Sequence, residues 1–232
     1  MTKDQVEARL ARVIERIRAA ASRAGRPASD IEILPVTKGH AARGIEIVGA
    51  LGVARIGENR VPEAEAKRAE LGPTPGVAWH LIGRLQRNKA RRALRLFDVV
   101  ESVDSVRLAG TLSRIVAEEG REPMEVLVQV NTSGEAAKAG MGPDAALDAV
   151  AEICELPGLR VAGLMMMAPF TEDEAVLRPA FRRAARLLER CRTEIPAFEG
   201  RDLSMGMSND FEIAIEEGST RVRLGTLLLG ER

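Results

Sequence analysis

The sequence predicts a (β/α)8 barrel, the TIM-barrel architecture, preceded by one extra helix. Three observations carry this reading. Eight short β-like segments recur along the chain. Segments of helical character lie between them, which is the α/β pattern. Several of the β-like segments are apolar on both faces, as parallel strands covered by helices are. Eight such units suit one barrel in a chain of 232 residues. No Pro/Gly/Ser-rich linker divides the chain, so residues 1–232 read as a single domain. An open doubly wound sheet is the alternative arrangement of the same elements.

The elements follow in order. Val6, Leu10, Val13, Ile14 and Ile17 recur at helical spacing over residues 4–24, and Gly25 with Pro27 ends that helix. The β-like segments are IEILPVTK (31–38), ARIGEN (54–59), AWHLIG (78–83), DVVESV (98–103), EVLVQVN (125–131), LRVAGLMMM (159–167), DLSMGMS (202–208) and RVRLGT (221–226). Helical segments between them include VPEAEAKRAEL, LQRNKARRALRL, SVRLAGTLSRIVAEEG, PDAALDAVAEICEL and EAVLRPAFRRAARLLERCRTEI. A shorter one, at 209–217, begins at Ser208.

Composition excludes several classes. Lys plus Arg and Asp plus Glu both number 34, so the chain lacks the basic excess of a dedicated nucleic-acid or membrane binder. Two cysteines, Cys154 and Cys191, form no CxxC pair, and two distant histidines complete no zinc pattern, so no metal site is expected. That cysteine usage fits a reducing, cytoplasmic setting. The charged, helical N-terminus is unlike a signal peptide, and VAGLMMMAPF is far shorter than a membrane span. The basic run from Arg84 to Arg95 reads as a solvated helix face, because aromatic residues for base stacking are nearly absent.

Active-site groups of a barrel project from the C-terminal ends of its strands. Those ends here carry Lys38, Asn59, His80, Ser102, Asn131, Met167, Ser208, and Gly225 with Thr226. Barrels often hold phosphate in the loops after strands seven and eight. Ser208 and Thr226 supply hydroxyls there, and Gly225 permits close backbone approach. Side chains alternate along a strand, so Arg223 shares a face with Gly225 and points into the barrel if Val222 and Leu224 face the helices. An arginine so placed needs an acceptor, such as Glu58 or Glu101. Lys38 beside cationic neighbours and apolar walls is suited to attack a carbonyl. Lysine with a phosphate site leaves two chemistries open: a Schiff-base aldolase acting on a sugar phosphate, or a protein whose lysine holds pyridoxal 5′-phosphate (PLP).

The motifs resemble those of the PLP homeostasis protein family, which is related to the N-terminal barrel of alanine racemase. The matching stretches run in order along the chain: VTK at 36–38, IGEN at 56–59, WHLIGRLQRNK at 79–89, SVD at 102–104, QVNTSGEAAKAG at 129–140, GLMMM at 163–167, LSMGMSND at 203–210 and VRLGT at 222–226. The resemblance implies that Lys38 holds the cofactor as a Schiff base. It matches Ser208, Gly225 and Thr226 to phosphate-binding positions, Arg223 to the arginine facing the pyridine nitrogen, and Asn59 and His80 to the pocket lining. It also marks Lys138 as a family lysine in the loop after strand five. The chain departs from the expected pattern at Thr37, Arg60, Arg84 and Asn209. The resemblance implies a PLP carrier or regulator of vitamin B6 and amino-acid pools, without a catalytic role. PLP is its partner, with PLP-dependent apoenzymes as acceptors and a monomer or weak dimer as its state. Alanine racemase takes a tyrosine base from a second domain, and this chain contains no tyrosine. A racemase-like enzyme of unknown substrate is the alternative.

Overall fold

Eight parallel strands carry the molecule: β1 (Glu32–Pro35), β2 (Arg55–Glu58), β3 (Ala78–Leu81), β4 (Val99–Val103), β5 (Met124–Val130), β6 (Leu159–Met166), β7 (Asp202–Ser204) and β8 (Arg221–Leu224). The computed structural model describes residues 1–132 and 139–231. Hydrogen-bonded neighbours run β1-β8-β7-β6-β5-β4-β3-β2. A parallel bridge between Val36 and Gly57 joins the two ends of that series, and the Thr37 N–H donates to Gly57 O at 3.0 Å. The strands therefore close into the (β/α)8 TIM barrel that the sequence predicts.

Helix α1 (Lys3–Arg23) precedes the barrel. A capping box fixes its start: the Gln5 N–H donates to the Thr2 hydroxyl, and the Thr2 N–H donates to Gln5 Oε1. Its buried side, Val6, Val13, Ile17, Ala20 and Ala21, joins the main core. The remaining helices are α2 (Arg43–Ala50), α3 (Val61–Leu71), α4 (Ala90–Leu96), α5 (Val106–Glu118), α6 (Pro143–Cys154), α7 (Glu174–Glu194), α8 (Phe211–Glu216) and α9 (Thr226–Leu229).

The two faces of the strands differ in chemistry. Ile56, Trp79, Leu81, Val100, Val126, Leu164, Leu203, Val222 and Leu224 pack outward against the helices in one continuous apolar core. The interior holds a small separate cluster, Val99, Leu127, Ala162 and Met165. It also buries His80, Glu101, Ser204, Arg221 and Arg223. Arg223 and Val222 thus lie on the faces that alternation predicts.

Several boundaries differ from the sequence reading. Helix α4 begins at Ala90, so Arg84 to Lys89 of the basic run precede it instead of lying on its face. The strands end sooner than expected, so Lys38 lies three residues beyond β1 and Ser208 four beyond β7. The helix read as 209–217 is α8, Phe211–Glu216, and Ser208 does not cap it. The Met207 N–H donates to Asp210 Oδ1 at 2.5 Å, which turns the chain before the helix begins. Among the described residues, no helix is long and apolar enough to cross a membrane.

Candidate functional site

The loops after β1, β6, β7 and β8 enclose a cleft of about 470 Å³ at the C-terminal end of the barrel. Lys38, Ser208, Gly225 and Thr226 all line it, together with Asp210 and Phe170. Four of the seven residues singled out in the sequence are therefore brought together.

Helix α3 clamps the backbone on both sides of Lys38. Lys67 Nζ donates to Thr37 O at 2.7 Å, and the Gly39 N–H donates to Glu63 Oε1 at 2.5 Å. Lys67 also bonds Glu58 Oε1 at 2.6 Å, and the Thr37 hydroxyl donates to the same oxygen at 2.5 Å. Neither Glu63 nor Lys67 stood out in the sequence. A signal existed for Lys67, which recurs at helical spacing after the buried Val61 and Ala64.

The opposite wall rests on Gly206, whose φ of +93° favours glycine. A Cβ there would lie 2.7 Å from the Ala214 Cβ. The Arg223 N–H holds the same loop by donating to Gly206 O at 2.9 Å. Asp210 is buried, and burial raises its carboxyl pKa despite the bond from Met207 and the charge of Arg223. Gly225 is different. A Cβ there would meet nothing closer than Val36 O at 3.5 Å, and its φ is −102°. Neither packing nor φ demands a glycine at this position, which keeps the cleft wall free of a side chain.

Arg223 and His80 do not line the cleft; they lie buried in the barrel interior. Arg223 donates to Ser204 O (2.7 Å), Ser204 Oγ (2.9 Å) and Met166 O (2.7 Å). Burial lowers its pKa, yet an arginine remains charged. Its acceptors are thus a hydroxyl and two carbonyls. The expected pairing with Glu58 is absent, because Glu58 faces α3, and Glu101 takes its hydrogen bonds from other residues. Glu101 Oε1 accepts from His80 Nδ1 at 2.7 Å and from Arg221 Nη1 at 3.2 Å, while Oε2 accepts from Ser204 Oγ at 2.6 Å. A carboxylate only accepts, so His80 Nδ1 carries its proton. Burial alone would raise the Glu101 pKa; the bond from His80 and the charges around it hold it at about 2. Arg221 went unremarked in the sequence, although it shares its face with Arg223 two residues on.

Asn59 lines a second cleft, with Arg84 and Asp104, at the ends of β2, β3 and β4. A Cβ at Gly83 would fall 2.1 Å from Asn59 O, so a glycine lets these two loops touch. Lys138 lies outside the described residues. Among the described residues no group of three side chains could hold a metal ion. Burial pushes the thiols of Cys154 and Cys191 up, to about 11 and about 12, which removes them as nucleophiles near neutral pH.

Comparisons with known proteins give the family and the fold. The family described as "Alanine racemase, N-terminal domain" matches residues 8–232. A Pseudomonas aeruginosa protein named pyridoxal phosphate homeostasis protein is 42% identical, over 96% of this chain and 94% of that protein. The Mycobacterium bovis protein of the same name is 41% identical, over 96% of this chain and 91% of its own length. Among solved structures, Synechococcus elongatus PipY with PLP bound is 37% identical. Its TM-score is 0.81, and the match covers 94% of this chain and 100% of that one.

Proposed function

The chain belongs to the alanine racemase N-terminal domain family, and from that premise we propose that it is a PLP-binding protein of PLP and amino-acid homeostasis. The observation that carries this reading is the convergence of Lys38, Ser208, Gly225 and Thr226 on one cleft. The donor set suits the cofactor: an amine for an aldehyde, two hydroxyls for a phosphate, and a glycine wall that leaves room. When bound, PLP supplies an aldehyde that condenses reversibly with an amine.

Each residue has a stated part. Lys38 is the amine. Ser208 and Thr226 would donate to the phosphate, with Gly225 giving backbone access. Arg223, fixed in the barrel interior by Ser204 and Met166, is the residue that the family pattern assigns to the ring nitrogen, and its permanent positive charge would act on the ring from there. A second positive charge on the ring would be disfavoured beside it, which would weaken the cofactor as an electron sink. His80 is bonded to Glu101, one step back from the cleft. Asn59 closes the neighbouring loop. Residues 1–232 act as one cofactor-holding unit in the cytoplasm, as a monomer or weak dimer that supplies PLP to apoenzymes. We read it as a carrier without a reaction of its own: the chain has no tyrosine to serve as the base that alanine racemase uses.

An absorption spectrum tests this. Purified protein with added PLP is expected to show a visible band that Lys38→Ala abolishes. Ser208→Ala with Thr226→Val is expected to keep the band but lose PLP on dialysis. A protein that stays colourless at saturating PLP sinks the reading. Hydrogen–deuterium exchange at the α-carbon of amino acids by the loaded protein would instead favour a racemase-like enzyme.

A further inference from the structure

The second cleft, of about 580 Å³, is lined by Arg60, Arg84, Arg87, Lys89 and Arg107 against a single acid, Asp104. That is an unusual concentration in a chain whose charges cancel. Elsewhere the arginines are mostly paired. The outer side of the same basic run is neutralised in this way: Arg91 bonds Glu118 and Glu119, Arg92 bonds Glu65, and Arg95 lies 3.6 Å from Glu119. Within the cleft, Arg84 approaches Asp104 at 3.6 Å. Among the described residues, Arg60, Arg87, Lys89 and Arg107 have no carboxylate within ion-pair distance. The basic run therefore has two sides, one cancelled by acids and one turned into a concavity.

We propose that this cleft is a second anion site, taking a small molecule that carries a phosphate or diphosphate group. A cleft lined by one sign of charge focuses the field within it, and arginine forks match phosphate oxygens. Its volume is that of a small-molecule site. Two helices, α3 and α5, begin in its wall; Arg60 at the start of α3 offers no side-chain cap, whereas the Ser105 hydroxyl already takes the Leu108 N–H of α5, so the cations rather than the helix ends carry the site. The lining holds no aromatic ring, which disfavours a single-stranded nucleic acid. The two clefts divide the C-terminal face of the barrel: one at the ends of β1 and β6 to β8, the other at the ends of β2 to β4. This site does not depend on the reading of the Lys38 cleft.

Titration calorimetry with pyrophosphate at low salt tests the proposal on three proteins: the unaltered chain, a variant with Arg87→Glu and Arg107→Glu, and one with Ser208→Ala and Thr226→Val. Arg87 and Arg107 are exposed, so the charge reversals are expected to leave the fold and the PLP spectrum unchanged. Saturable, salt-sensitive binding should weaken by about tenfold or more in the Arg87/Arg107 variant. It should persist in the Ser208/Thr226 variant. Loss confined to the Ser208/Thr226 variant, equal binding by all three proteins, or no saturable binding overturns the second site. RNA binding without pyrophosphate binding overturns it as well. None of these outcomes changes the spectral result at Lys38.

Discussion

Glu58 and Glu101 are both fully buried, both on the strands of one barrel, and their carboxyls are driven in opposite directions. Glu101 faces the barrel interior, where both its oxygens are bonded and the guanidinium groups of Arg221 and Arg223 lie near. Its pKa falls to about 2. Glu58 faces α3. One of its oxygens takes bonds from Lys67 and Thr37, and the other has no partner among the described residues. Burial dominates and its pKa rises, despite Lys67. Desolvation is common to the two; the number of satisfied oxygens and of nearby cations decides the sign. The candidate site follows the same division. The settled carboxylate anchors the floor that holds Arg223, while the unsettled one sits behind the backbone that carries Lys38.

The largest effect is expected from taking the cation away from the interior cluster. Arg221 bonds Glu101, Glu32 and Asp202, and a truncation leaves those acids facing one another in the barrel. Arg221→Ala should destabilise the protein by about 3–5 kcal/mol, as breaking a buried pair does. Urea denaturation measures it. A loss below about 1 kcal/mol, the scale of an exposed pair, would mean that the interior cluster is no more dependent on its partners than a surface ion pair.

Next comes the acid itself. The fall of Glu101 from an ordinary 4.5 to about 2 corresponds to about 3 kcal/mol of stability at neutral pH. A depressed acid contributes fully above its unfolded pKa and loses that contribution as pH falls through the folded one. The stability gap between the unaltered protein and Glu101→Gln should therefore be flat above about pH 5 and shrink toward pH 2. Thermal melts across that range read it, and a gap that does not change with pH breaks the comparison.

Much of this was legible in the sequence, for identifiable reasons. Periodicity located all eight strands, and Val61–Leu71 forms a helix over the range its pattern predicts. Strand ends were less legible. LPVTK is equally strand-like throughout, but its ladder stops at Pro35 apart from the Val36 bridge, where the barrel closes. Lys38, Ser208, Gly225 and Thr226 meet because loops after neighbouring strands must meet, and that much follows from strand order. Strand order does not say which loops lean together, and Asn59 accordingly falls in the other cleft. Alternation put Arg223 inside, yet it could not choose its acceptor. Arg221, on the same face, takes Glu101, and Arg223 is left with carbonyls and a hydroxyl.

The smallest effect should also be the one with the reversed sign. Glu58 has a raised pKa, so the unfolded chain ionises it first as pH rises. Its contribution is full below the unfolded pKa and is lost as pH passes through the folded one. Glu58→Gln keeps an acceptor for Thr37 and Lys67, and Lys67 retains Glu63 and the Thr37 carbonyl. The substitution should change stability by about 1 kcal/mol, the scale of one buried hydrogen bond. Above the ordinary carboxylate range the variant should gain on the unaltered protein, the opposite of Glu101→Gln. If melts instead show the unaltered protein gaining as pH rises, Glu58 behaves as a settled carboxylate. The unpartnered oxygen then has no energetic consequence, and α3 clamps the Lys38 segment through an ion pair as well satisfied as the one inside the barrel.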